Sequence, residues 1–378
     1  MFIYICKMKQ ISIEKLEEWY SNKYQNKITG RWITLEQILP IIRSIKFNLK
    51  IELAGSSYQN RDIYDLEFGK GKVKIVIWTQ MHGNESTGTK ALFDFFNFLE
   101  NPGDLSDLKD QILNNCTIKC IPMLNPDGAQ VYSRLNAQKI DLNRDFIDKK
   151  ASESKLLQKI VKGFQPDYCF NMHDQRTIFS VGKNSNPATI SFLAPSEEKK
   201  RKITSGRKET MEVIVSMNNF LQNVIPDQVG RYTDEFYPTA TGDNFQKIGY
   251  NTILVESGHY KNDYQREMTR KYTFFSLLQG LYFISDDTEK CDYKVYFDIP
   301  DNEKNYLDIL LKDVIYQGKK IDIGILFEEK LQEKKLHFIP RVDKIENLSK
   351  YRANRTINSS NLIFENEEDI ITYIKNIP

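Results

Sequence analysis

The order of apolar segments constrains this chain more than any other feature. Leu49–Ala54, Asp62–Phe68, Val73–Trp78, Ile118–Met123, Pro166–Met172, Ile190–Ala194 and Thr252–Val255 read as strands. Between them, stretches from about Ser86 to Leu99, Glu153–Phe164, roughly Lys199–Leu221 and Glu267 to Ile284 carry helical periodicity. This alternation predicts an α/β sheet with covered faces. Residues 11–46 look helical, with apolar spacing in Ser12–Trp19 and again from Thr34 to Ile45 around Pro40. After Ser285, Tyr293–Ile299, Ile309–Ile315, Lys320–Phe327 and Leu336–Pro340 look like short strands joined by charged turns. The expected organisation is a helical segment over 1–46, an α/β domain over 47–285 and a small β-rich domain over 286–378.

Charge and cysteine usage narrow the setting. The 53 Lys and Arg against 51 Asp and Glu leave a formal charge of +2, which makes no electrostatic case for nucleic acid or an anionic membrane. No apolar run approaches the roughly 20 residues that a membrane helix needs. Cys6, Cys116, Cys120, Cys169 and Cys291 follow no metal-binding spacing and read as thiols in a reducing compartment. The stretch Met1–Lys7 is too short an apolar run for a signal peptide, and Met8 offers an alternative start. A cytoplasmic location is expected.

Only four histidines occur, so each can be weighed singly: His82, His173, His259 and His337. His82 and Glu85 follow the strand ending near Trp78, His173 follows the strand ending at Met172, and Glu256 ends the strand Thr252–Val255. If those strands are parallel, all four lie at carboxyl ends of the sheet, where ligands bind in open α/β folds. Two imidazoles and a carboxylate suit a catalytic zinc site, which uses three protein ligands and leaves a position for water. His82, Glu85 and His173 are therefore the candidate ligands of one zinc ion per chain. Glu256 closes the apolar run Ile253-Leu254-Val255, an odd place for a purely structural carboxylate, and reads as a general base. Arg134 and Arg144 lie in a long polar loop, where arginine grips oxyanions and carboxylates. His259 either lines the pocket or is a hydrogen-bonded loop residue, and His337 belongs to the C-terminal region without a catalytic role.

Taken in order, His82-Gly83-Asn84-Glu85, Asn125-Pro126-Asp127-Gly128, Arg134, Asp141-Leu142-Asn143-Arg144, His173 and Glu256 make the chain resemble the funnelin-type zinc metallocarboxypeptidases over roughly residues 47–285. The resemblance implies a mixed, mostly parallel eight-stranded sheet flanked by helices. It also implies His82, Glu85 and His173 as zinc ligands and Glu256 as base and later proton donor. Arg134 would polarise the scissile carbonyl, and Asn143 with Arg144 would hold the substrate's C-terminal carboxylate. The family's mobile tyrosine has no clean counterpart; Tyr232, Tyr237 and Tyr250 lie in that region, with Tyr237 the first choice. The β-rich C-terminal region is foreign to the digestive members.

The expected activity is release of C-terminal residues from peptides. A deacylase acting on N-acyl amino acids, similar to succinylglutamate desuccinylase and aspartoacylase, is the alternative on the same scaffold. A non-catalytic binding protein would be expected to have lost a ligand or the base, and none is missing. The expected partner is a peptide or small acyl-amino-acid substrate, without nucleic acid or membrane; P1′ preference and oligomeric state stay open.

Overall fold

Six residues explain the centre of the molecule. In Val73–Trp78, Ile75 and Ile77 point into one apolar layer while Val76 and Trp78 point into another, and all four are fully buried. A strand with two dry faces needs helices on both sides, and β-branched residues suit it.

The computed structural model describes residues 10–182, 186–286, 288, 290–358 and 360–377. The expectations for Met1–Lys7, Cys6 and Met8 lie outside the described residues. Helices α1 (Ile13–Lys23) and α2 (Leu35–Ser44) come first, followed by strands β1 (Lys50–Ser56), β2 (Asp62–Gly69) and β3 (Val73–Trp78). Then come α3 (Thr87–Glu100), α4 (Ser106–Asn115), β4 (Cys116–Ile121), the short α5 (Pro126–Gln130), α6 (Ser152–Phe164) and β5 (Tyr168–Asp174). The chain continues through β6 (Ser180–Val181), β7 (Ile190–Leu193), α7 (Ser205–Leu221), β8 (Val229–Arg231), α8 (Thr241–Lys247), β9 (Asn251–Ser257) and α9 (Glu267–Ile284). Beyond these lie β10 (Asn302–Glu303), β11 (Tyr306–Tyr316), β12 (Lys319–Gln332), β13 (Lys335–Glu346), β14 (Arg352–Asn358), β15 (Ile363–Phe364) and α10 (Glu367–Asn376).

The main sheet has eight strands in the order β1-β2-β4-β3-β5-β9-β7-β8. The central run β4-β3-β5-β9 is parallel, β7 joins β9 antiparallel, and β8 joins β7 parallel. It is thus the expected mixed, mostly parallel sheet. The ends of β3, β5 and β9 come together on one edge, and His173 is paired directly with Glu256. The larger apolar layer includes residues of α3, α7 and α9 together with Trp19, Ile38 and Ile42 from α1 and α2. An ion pair buried within this side joins Arg270 of α9 to Asp94 of α3 at 2.7 Å. Leu157 and Val161 of α6, with Leu142, Phe146 and Phe245, cover the opposite face.

A separate sheet follows, ordered β13-β12-β11-β14 with β15 on β11, and it has its own apolar clusters. It is the β-rich C-terminal unit expected from the sequence. Several contacts dock it on the main sheet. β6 pairs with β10, the Tyr306 amide donates to the Ile178 carbonyl, and the Tyr264 hydroxyl donates to Asp308.

Three local expectations need correction. Tyr293–Asp298 is a 3₁₀ turn rather than a strand: Asp292 caps it by accepting from the Lys294 amide, and Tyr296 is buried with its hydroxyl accepting from the Ala194 amide. The helix expected from Lys199 begins at Ser205, because Thr204 caps it and Arg207 holds the Arg201 and Lys202 carbonyls in a loop. Finally, α10 closes a region expected to be all strand. Its start is a reciprocal capping box between Asn366 and Asp369, and Ile370 and Ile374 pack beneath the sheet.

Candidate active site

A backbone approach that only glycine permits shapes the loop after β3. A Cβ on Gly83 would come 2.0 Å from the Gly128 carbonyl carbon and 2.2 Å from the Ala129 nitrogen. The loop therefore lies directly on α5, which Asn125 starts by accepting from the Gly128 amide. This packing places His82 and Glu85 ahead of α3. The side chains of His82, Glu85 and His173 converge: one ligand atom from each lies within 4.8 Å of the others, and all three residues are buried.

The contacts within this cluster are close. Glu85 Oε1 lies 2.8 Å from His82 Nδ1, Oε2 lies 2.8 Å from His173 Nδ1, and the two Nδ1 atoms are 3.1 Å apart. Burial opposes ionisation of Glu85, but the two imidazoles outweigh it and hold its carboxyl well below the usual range. Two imidazole nitrogens and a carboxylate facing one point form a donor set suited to zinc. The residues present thus fit the ion.

Asp141 supports the cluster from the loop side. Its Oδ1 lies 3.1 Å from His82 Nε2 and also accepts from the Asn143 amide. Its Oδ2 accepts from Arg134 Nε and Nη2 at 3.1 and 3.0 Å. Arg134 reaches on to Glu85 Oε1 at 3.1 Å. Asp141 stands in the quoted motif, yet its sequence neighbours reveal nothing of its contact with a histidine 59 residues away. A carboxylate on the far nitrogen of a metal-binding imidazole is a recurring arrangement and was the available signal.

Glu256, partly open to a cleft of about 620 Å³, shares that cleft with the three cluster residues and with Arg134, Asn143 and Arg144. Burial, then the nearby Glu85 and Asp174 carboxylates, push its carboxyl well above the usual range. An adjoining cavity of about 440 Å³ also touches Glu256, Asn143 and Arg144. There the Arg144 guanidinium lies 5.6 Å from the centre of the Tyr237 ring, and Tyr237 is exposed. Tyr232 lines both cavities, whereas Tyr250 packs against Phe245. The Asn143 Oδ1 accepts from the Thr241 amide, so its NH₂ group is the free end.

Two histidines lie apart from the cluster. His259 is buried between Tyr264 and Tyr306, with Nε2 3.4 Å from Asn354 Oδ1 of β14. Burial and the nearby Arg266 push it down to about 3. Of the two roles open to it, the structure supports the hydrogen-bonded one. His337 sits on β13 opposite Lys330. Cys116, Cys120, Cys169 and Cys291 are buried thiols that form no disulfide among the described residues.

Residues 42–219 match the family described as zinc carboxypeptidase. Over those residues the chain is similar to that family. The match includes the cluster, Arg134, Asn143 and Arg144; Glu256 lies beyond it. A 68-residue stretch is 37% identical to carboxypeptidase SOL1 of Arabidopsis thaliana, covering 18% of this chain and 14% of that protein. Over 117 residues the chain is 32% identical to carboxypeptidase E of Caenorhabditis elegans, covering 25% of this chain and 24% of the other. The chain thus spans about a quarter or less of these relatives. The carboxypeptidase fold is also that of a metallo-carboxypeptidase from Burkholderia cenocepacia: TM-score 0.55, 13% identity, 68% of this chain and 70% of that one. No helix among the described residues is long and apolar enough to cross a membrane.

Proposed function

We propose that this protein is a zinc metallocarboxypeptidase that hydrolyses the C-terminal peptide bond of peptides. The observation that carries the reading is one cleft lined by the His₂Glu cluster, by Glu256 and by Arg134, Asn143 and Arg144. His82, Glu85 and His173 would hold one zinc ion. When bound, zinc supplies Lewis acidity toward the scissile carbonyl and makes water easier to deprotonate.

The chain's own residues do the rest. Asn143 and Arg144 orient the substrate by its terminal carboxylate, arginine through paired N–H donors. The released side chain then enters the adjoining cavity, and the scissile bond lies beside Glu256. Glu256 takes the proton of the attacking water and returns it to the departing amine, a role its place in the cleft beside the cluster favours. Arg134 donates to the oxygen on which negative charge develops.

The test compares release of C-terminal amino acids from peptides with hydrolysis of N-acyl amino acids, with zinc content measured in parallel. Peptide release should dominate. It should fall by about 10²–10⁴-fold in Glu256→Gln at unchanged zinc content. Arg144→Ala should raise KM more for free-carboxylate substrates than for amidated ones. Turnover confined to N-acyl amino acids would replace this reading with deacylation.

A further inference from the structure

The main sheet supplies the reacting groups, but the C-terminal sheet builds the opposite side of the same cleft. Leu326, Phe327, Glu328 and Glu329 of β12 and Arg341 of β13 line it together with His173 and Glu256. This side is fixed rather than loosely apposed. Asp308 of β11 accepts from the Tyr264 hydroxyl at 2.9 Å and from the Phe327 amide at 2.7 Å.

One end of the cleft is clasped. The Glu329 carboxylate takes both the Arg31 guanidinium and the Tyr132 hydroxyl, joining the segment before α2, the loop after α5 and β12. Arg31 is anchored in turn, because its carbonyl accepts from Ser86 Oγ at 2.6 Å. Arg31 is 7% exposed, and its Nε is buried without a hydrogen-bond partner among the described residues.

We propose that the C-terminal sheet walls the cleft on the amino-terminal side of the scissile bond and makes this protein select short peptides. The inference rests on the carboxypeptidase reading, which fixes substrate direction: carboxylate at Arg144, scissile bond at Glu256, and the remaining residues running toward Arg31 and Glu329. Cavities of about 620 and 440 Å³ match a compact ligand, roughly a tripeptide or tetrapeptide. A longer chain must part the Glu329 clasp or turn sharply out of the cleft.

Binding and turnover are measured separately on the full chain. N-acetylated dipeptides, tripeptides, tetrapeptides, hexapeptides and decapeptides ending in Ala-Ala, Ala-Phe, Ala-Lys or Ala-Glu are titrated into zinc-loaded Glu256→Gln protein by calorimetry. Affinity should peak at the tripeptide or tetrapeptide and fall at least about tenfold by the decapeptide. In protein that also carries Glu329→Gln, that discrimination should shrink. Decapeptides that bind as tightly as tetrapeptides overturn the proposal, as does the absence of binding at every length. Should Glu329→Gln misfold, the length series without it still decides. Wild-type protein that releases no C-terminal residue overturns the hydrolase reading alone, because length selection is read from binding.

Discussion

Replacing Asp141 by asparagine should weaken metal retention without removing a proposed ligand. Asp141 Oδ1 sits 3.1 Å from His82 Nε2, and its charge favours the tautomer that leaves Nδ1 free to face Glu85 and His173. Asparagine keeps the volume and can still accept from the Asn143 amide, so the loop has reason to hold its course. What is lost is the charge on His82 and on Arg134. The Arg134 side chain is 44% exposed, so water screens much of that second loss. A buried charge-assisted hydrogen bond contributes about 1.5–3 kcal/mol, and loss of such an outer partner typically costs about 10–100-fold in metal affinity, or about 1.4–2.7 kcal/mol. The two routes agree. Zinc affinity is read by competition with a fluorescent chelator, and thermal unfolding is followed with and without zinc. The variant should bind zinc about 10–100-fold more weakly, with a smaller zinc-induced rise in Tm and a metal-free Tm close to wild type. Unchanged zinc affinity would refute the idea that this carboxylate orients His82. A large drop in the metal-free Tm would instead assign Asp141 to holding the loop.

Other perturbations have equally definite outcomes. Asp94→Asn leaves the buried Arg270 with only the partly exposed Glu267, 3.1 Å away, as an anionic partner and removes charge from bonds at 2.7 Å to Arg270 and the Gln25 amide; stability should drop by up to about 3–5 kcal/mol, seen as a lower urea midpoint. A drop below about 1 kcal/mol would show that the pair is not effectively desolvated. Because His259 is held down to about 3 from an ordinary 6.5, the unfolded chain binds the extra proton between those values. Stability should therefore fall as pH falls through that window, by up to about 1.4 kcal/mol per unit, and His259→Gln should flatten the profile. An unaltered acid profile would place His259 in contact with water. Gly83→Ala forces its Cβ into the Gly128 backbone and should lower both Tm and zinc affinity, whereas Gly163→Ala meets nothing within 4 Å and should leave both near wild type. Equal effects of the two would contradict the close approach at Gly83.

Much of the main-sheet layer was legible because its signals are local. The β3 strand and α9 match their expected bounds residue for residue, since a short β-branched apolar run after a glycine turn and a long apolar run each stand out by composition and length. Tyr293–Asp298 misled because its alternation of tyrosine, lysine, valine and phenylalanine imitates a strand. Only the capping by Asp292 and the burial of Tyr296 reveal a turn. The start of α10 was readable in principle from Asn366 and the acids that follow it.

By itself, the sequence determined the alternation of strand and helix and the placing of His82, Glu85, His173 and Glu256 at strand ends. Those follow from periodicity and from spacings of a few residues. The tertiary structure alone decided that β3, β5 and β9 are neighbours, so that those ends converge, and that Asp141 backs His82. It also decided that His259 turns to the C-terminal sheet and that Glu329 meets Arg31 and Tyr132. Each of these depends on segments tens to hundreds of residues apart, brought together by burial of the two faces of the sheet, which no local pattern encodes.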